Sequence, residues 1–364
     1  MKTETFDTRH LSLVQFKSLS TDQKVTFCQR DGSIFDVLLS QQFDRGLLEE
    51  LITLANATRK IAKTYDGMIW LQSILAHKRA MLYFIQPSTR TFLSFLNACH
   101  ILGVQVSEVR DPSTSSEVKG ETPSDTIRTF SSYVDMIIMR HPSEGFAETA
   151  AWVLNNSDRP VPVINAGSGR DQHPTQALLD IYTLQRSFEE YGGIDGKSIA
   201  MVGDLMRGRT VRSLSYLLTN YDDVKIYYVA PDQLRMLGDI KSVLRRKKIE
   251  YYENNDIESV LPHVDAVYMT RIQDEYDVGG AISEKDYERF HLVKRHLPLL
   301  KDTAIIMHPL PRRKEIAPSI DDDPRAMYWR QERNGMWIRA ALLLKIFRKE
   351  ERILEYHSKF DSSS

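Results

Sequence analysis

The stretch Tyr83-Phe84-Ile85-Gln86-Pro87-Ser88-Thr89-Arg90-Thr91-Phe92 decides how the rest of the chain is read. Residues 81–85 form an apolar run that suits a buried strand, and Pro87 and Ser88 break it. From about Thr91 the apolar positions Phe92, Leu93, Phe95, Leu96 and Cys99 fall at helical spacing. A strand end therefore meets a helix start at a cluster of hydroxyls and one arginine. The open N–H groups of a helix start point at a common spot, and the helix dipole favours negative charge there. Ser88, Thr89 and Thr91 add hydroxyl donors, and Arg90 adds a guanidinium. The stretch predicts a phosphate cradle made without the glycines of a P-loop. The competing reading is that Ser88 only caps a helix.

Working outward, the same plan recurs: an apolar strand whose carboxyl end delivers a polar or cationic residue. Residues 136–139 end in Arg140-His141-Pro142, and residues 161–164 run on to His173-Pro174-Thr175-Gln176. Residues 266–269 end in Thr270-Arg271-Ile272-Gln273, and residues 304–307 end in His308-Pro309-Leu310-Pro311. Further strands are expected at 104–107, 198–202 and 226–229, the second leading through Gly203 to Arg209. Helical spacing marks 43–63, the segment closed by Gly103, 124–133, the run from Pro174 to about 184, and 335–348. Residues 1–40 read as polar and irregular, with a short strand over 35–39.

This alternation predicts an α/β chain of two domains, each a mainly parallel sheet with helices on both faces, joined by interdomain helices. The first domain is expected over 1–185, with an N-terminal extension over 1–42. The second spans 186–334, entered through the linker-like Tyr191-Gly192-Gly193-Ile194-Asp195-Gly196, and 335–364 returns to pack on the first. In open sheets of this kind ligands bind at the carboxyl ends of strands. One arginine at such an end is more often a surface ion pair; five polar ends in two domains predict a cleft that takes anions from both sides.

Composition sets bounds on partners. A chain of 364 residues, 42% hydrophobic and 27% charged, has the length and apolar content for two cores. A formal net charge of −1 gives no sign of nucleic acid or an acidic membrane surface as partner, so an anion site must be local. With Cys28 and Cys99 alone, neither a disulfide framework nor a cysteine-rich zinc site is available in this chain. The first residues lack the pattern of a signal peptide, and no run approaches the ~18 apolar residues of a membrane span. The expectation is a soluble, cytoplasmic protein. The cationic run Arg245-Arg246-Lys247-Lys248 reads as a solvated helix end, and 358–364 as a frayed polar tail.

The motifs QPSTRTFLSF (86–95), KGETPSDT (119–126), YVDMIIMRHPSEG (133–145), INAGSGRDQHPTQALLDIYTLQ (164–185), GDLMRGRTVRSL (203–214), VYMTRIQDE (267–275), HPLPRRKEI (308–316) and NGMWIRAALL (334–343) stand in an order and spacing that resembles the catalytic chains of the aspartate carbamoyltransferase family. The likeness covers about 43–347; the TRIQ and HPLPR segments set it apart from ornithine enzymes, which typically carry a cysteine in the latter motif.

The resemblance implies a carbamoyl-phosphate-binding first domain, an aspartate-binding second domain, and carbamoyl transfer to aspartate in de novo pyrimidine biosynthesis. It implies that Ser88, Thr89, Arg90, Thr91 and Arg140 bind phosphate, and that Thr91, Arg140 and His173 hydrogen-bond the carbamoyl carbonyl oxygen. Gln176 and the backbone carbonyls of Leu310 and Pro311 would hold the carbamoyl nitrogen, while Arg209, Arg271 and Gln273 grip the aspartate carboxylates. Ser115 and Lys119 would enter a neighbouring subunit's site in a homotrimer. The catalytic set is thus Arg90, Thr91, Lys119, Arg140 and His173, with no metal and no cofactor. A regulatory chain or a dihydroorotase is left open as a further partner.

The chain departs from the family pattern at three points. Phe92 and Leu96 replace an arginine and a glutamate four residues apart, exchanging an ion pair for a packing pair. Gln86 stands where a glutamate is common, weakening any ion pair with Arg140 to a neutral contact, and Asp274 stands where a lysine is common. The alternatives are a carbamoyltransferase for another amine and a catalytically inert relative that binds either ligand.

Overall fold

The computed structural model describes residues 11–111, 120–169, 172–271 and 287–361. The chain divides into two units, Met1–Thr175 with Gly335–Ser364, and Gln176–Asn334. It passes between them inside the helix Pro174–Ser187, ahead of the 191–196 segment, and returns inside the helix Tyr328–Ile346.

The first unit holds a small hairpin, β1 (Gln29–Arg30) and β2 (Ser33–Ile34), and a parallel sheet of β3 (Arg79–Phe84), β4 (Gln105–Val109), β5 (Met136–Arg140) and β6 (Val163–Asn165). Their spatial order is β4-β3-β5-β6. After Arg79 every residue of β3 is buried, as a continuous apolar run in a sheet covered on both faces requires. Tyr83, Ile137, Met139 and Val163 share one core cluster with Ala150 and Leu154 of the helix Phe146–Asn155. Side chains of this size, fully buried, contribute roughly 1.5–3 kcal/mol each.

The second unit holds β7 (Ser198–Val202), β8 (Lys225–Val229), β9 (Glu250–Asn254), β10 (Ala266–Met269) and β11 (Ile305–Met307). All pair in parallel, in the order β11-β10-β7-β8-β9. The α/β expectation holds in both units. Among the described residues no helix is long and apolar enough to cross a membrane.

The N-terminal segment corrects the sequence reading. Residues 13–17 and 21–27 are helices, each opened by a reciprocal capping box, Ser12 with Gln15 and Ser20 with Gln23. Phe16 and Phe27 pack their rings 4.6 Å apart beneath them. The strand expected over 35–39 reduces to a bridge between Val37 and Ile164, because Asp36 turns its carboxylate inward to accept from Val163 N and Asn155 Nδ2. A polar edge strand, β9, and the helix Tyr65–Ile74 were not anticipated. The final long helix starts at Tyr328, seven residues before the expected 335.

Candidate active site

In the first unit the helix Thr89–Ile101 starts two residues earlier than its apolar spacing suggests. Ser88 is its N-cap, in extended backbone geometry, yet its side chain makes no capping bond. The capping reading of Ser88 therefore fails, and its hydroxyl is not spent on the helix. Thr91 is buried, Ser88 and Arg90 are half-buried, and Thr89 is exposed. The first turn carries no acidic side chain to compete with an anion. Phe92, 3% exposed, stands edge-on to Phe84 at 5.4 Å, with the Arg110 guanidinium 4.2 Å from its ring centre. Its partners are thus an aromatic ring and a cation.

Strand pairing sets the next groups beside this helix start. Phe84 of β3 is in register with Arg140 of β5, and Gln86 N donates to Arg140 O at 3.0 Å. The Gln86 side-chain oxygen is buried with no hydrogen-bond partner among the described residues. Arg140 Nη1 donates to Ala166 O at 3.3 Å, just beyond β6. Gly167, at φ +97°, then lies under the side chains of Arg140 and His173. A Cβ there would sit 2.9 Å from Arg140 Nη1, 2.8 Å from His173 Nε2 and 2.6 Å from His173 Cδ2. Only glycine both adopts that backbone conformation and lets the guanidinium and imidazole close over it. Asn165, 2% exposed, holds the turn by accepting from Gly167 N and Ser168 N and donating to Leu38 O and Gln172 O. Ser88, Thr89, Arg90, Thr91, Arg140 and His173 thus gather at the carboxyl ends of three neighbouring strands.

The second unit repeats the device. Gly203, at φ +118°, ends β7, and a Cβ on it would lie 2.5 Å from Thr270 O beyond β10. The two strand ends approach closely as a result. Arg209 opens the helix Arg209–Leu218 after β7, and Arg271 follows β10; both are half-buried. After β11, His308 is fully buried. It accepts from Leu310 N on Nδ1 at 2.7 Å, and its Nε2 contacts Glu315 Oε1 at 2.7 Å. Because Nδ1 accepts, the ring proton sits on Nε2 and donates to the carboxylate. Leu310 takes the left-handed conformation, φ +47°, and the Leu310–Pro311 bond is cis.

Gln176 Nε2 donates at 3.0 Å to Asp180, a fully buried carboxylate one helical turn later. Burial pushes the Asp180 carboxyl up to about 7, against hydrogen bonds from Gln331, Tyr268 and Gln176 that work in the opposite direction.

Ser115, Lys119 and Gln273, with Asp274, lie outside the described residues. Sequence reasoning overlooked Asn165, Gly167 and Asp180. The glycine pair in Asn165-Ala166-Gly167-Ser168-Gly169 and the four-residue spacing of Gln176 and Asp180 were the available signals.

Comparison with known proteins follows the same division. Residues 36–186 match the carbamoyl-P binding domain of aspartate/ornithine carbamoyltransferase, and residues 195–346 match its Asp/Orn binding domain. The chain is 45% identical over 310 residues to the chloroplastic aspartate carbamoyltransferase of Arabidopsis thaliana, covering 85% of this chain and 76% of that protein. It is 41% identical over 303 residues to the aspartate carbamoyltransferase catalytic subunit of Methanocaldococcus jannaschii, covering 83% of this chain and 95% of that one. Among solved structures, the aspartate transcarbamoylase of Trypanosoma cruzi in complex with N-(phosphonacetyl)-L-aspartic acid superimposes with a TM-score of 0.78 at 35% identity, covering 86% and 95% of the two chains.

Proposed function

The chain belongs to the aspartate/ornithine carbamoyltransferase family, and we infer that it is an aspartate carbamoyltransferase. It transfers the carbamoyl group of carbamoyl phosphate to the amine of L-aspartate, giving N-carbamoyl-L-aspartate and phosphate. The observation that carries the reading is the meeting of Arg140 and His173 over Gly167, in the unit whose Ser88–Thr91 helix start is free of acidic side chains.

Ser88, Thr89, Arg90 and Arg140 hold the phosphate; planar guanidinium suits its geometry. The amine of aspartate attacks the carbamoyl carbon, and negative charge collects on the carbonyl oxygen. Thr91, Arg140 and His173 donate to that oxygen, and losing one such donor typically costs ~2.7–4 kcal/mol in the barrier. Gln176 and the carbonyls of Leu310 and Pro311 accept from the carbamoyl NH2, and Arg209, Arg271 and Gln273 hold the aspartate carboxylates. Positioning two charged substrates for attack on the carbonyl carbon supplies roughly 7–11 kcal/mol more. The C–O bond to phosphate then breaks, and the leaving phosphate accepts the amine proton. The enzyme works as a homotrimer in which Ser115 and Lys119 reach a neighbouring subunit's site.

Phosphate release measured with carbamoyl phosphate and a panel of amines tests the assignment. Turnover with L-aspartate and at most trace turnover with L-ornithine is expected. Turnover with ornithine or another amine, and none with aspartate, would replace the substrate. Binding of carbamoyl phosphate with no turnover on any amine would replace enzyme by inert relative.

A further inference from the structure

We propose that Asp180 is a positioning residue whose carboxylate aims Gln176 and, through Gln331 and His308, the Leu310–Pro311 turn, so that the site accepts an NH2 group on the substrate and rejects a methyl in its place. The proposal rests on the carbamoyl-phosphate reading and deepens it.

Three donors converge on Asp180. Its Oδ1 accepts from Gln176 Nε2 at 3.0 Å and Gln331 Nε2 at 2.7 Å, and its Oδ2 accepts from Tyr268 Oη at 2.8 Å. Above about pH 7, where its carboxyl is ionised, Asp180 can only accept, so each glutamine must turn its NH2 toward it and its carbonyl oxygen away. For Gln331 the far end is seen directly: Oε1 accepts from His308 N at 2.9 Å. His308 in turn accepts from Leu310 N at 2.7 Å and holds Leu310 in the left-handed region that non-glycine residues seldom adopt. For Gln176 the far end is a carbonyl oxygen, an acceptor. One buried charge therefore sets the direction of every amide in a chain that ends at Gln176 on one side and at the Leu310–Pro311 turn on the other.

Those ends are the three acceptors assigned to the carbamoyl nitrogen. A neutral amide at 180 would be satisfied with its neighbours in either orientation, so the charge, rather than the shape, is what aims Gln176. A buried carboxylate is costly, and here three donors converge on it to offset that cost. A site whose acceptors expect N–H donors discriminates strongly against an isostere that leaves them unpaired.

Dissociation constants for carbamoyl phosphate and acetyl phosphate, which differ only as NH2 and CH3, are to be measured for wild type and Asp180→Asn alongside thermal melting. The variant should bind carbamoyl phosphate about tenfold or more weaker while its affinity for acetyl phosphate shifts by less than about twofold. Equal weakening of both ligands, or no change in either, overturns the proposal. If the Asn variant does not melt cooperatively, Gln331→Met keeps the charge and cuts the link to His308; it should also narrow the preference for carbamoyl over acetyl phosphate, and an unchanged preference overturns the proposal. A wild-type protein that binds carbamoyl phosphate no better than acetyl phosphate overturns the reading of the site itself.

Discussion

Arg140 and His173 meet across one glycine: Nη1 of the first and Nε2 of the second lie 2.9 and 2.8 Å from the point a Gly167 Cβ would occupy. A guanidinium from the end of β5 and an imidazole from the loop after β6 are thereby set side by side. The backbone between them has no room to spare.

Gly167→Ala should consequently act on catalysis more than on folding. The methyl must displace a guanidinium or an imidazole, and positive φ adds strain of about 1 kcal/mol. Losing alignment of one oxyanion donor predicts a fall in kcat of roughly 100-fold or more. Steady-state kinetics with thermal melting checks this; unchanged kcat would mean that neither side chain touches the reacting group.

Phe92 makes a different demand. It is 3% exposed, packed on Phe84 and under Arg110. Phe92→Arg would bury a charge without a partner beside a second cation, costing roughly 3–5 kcal/mol. Adding Leu96→Glu, one helical turn on, should recover part of the loss. Urea unfolding of the two variants measures it, and equal stability of the single and double variants would refute the exchange.

Asp36 gives a pH signature. It is fully buried, and burial pushes its carboxyl from 3.8 up to about 7, against bonds from Val163 and Asn155 and the nearby Arg30. The folded state then holds the proton more tightly than the unfolded chain. The wild type loses stability as pH rises from about 4 to about 7, with no further loss from this group above that. The stability of Asp36→Asn relative to wild type should grow across that window and level off beyond it, as read by melting temperature against pH.

Subunit sharing is testable by mixing. Lys119→Ala and Arg90→Ala chains, each nearly inactive alone, should regain activity when reassembled together, because some sites would combine two intact contributions. Verified mixing without recovery would place Lys119 in its own subunit's site.

The strand-end motifs were legible because a parallel sheet concentrates its site on a few contiguous residues at each carboxyl end. Ser88 to Thr91, Arg140 and His173 all lie on such ends. What escaped was set by partners far away in the chain. Asp180 meets Gln331 across 151 positions, and nothing local in either glutamine or aspartate announces it. The capping boxes at Ser12 and Ser20 were local signals, hidden in a segment whose apolar spacing is too short to show a helix. Strand β9 shows only one half-buried position on each side of its centre, so it lacks the apolar run that marks its neighbours.

The central claim is tested most directly by following the carbonyl carbon itself. Carbamoyl phosphate labelled with carbon-13 is incubated with L-aspartate and the purified protein, and the label is tracked by NMR as phosphate is counted. The label is expected to move into N-carbamoyl-L-aspartate, one for each phosphate released, and Arg140→Ala to slow this by roughly 100-fold or more. Phosphate released without labelled carbamoyl-aspartate, or transfer unaffected by Arg140→Ala, would contradict it.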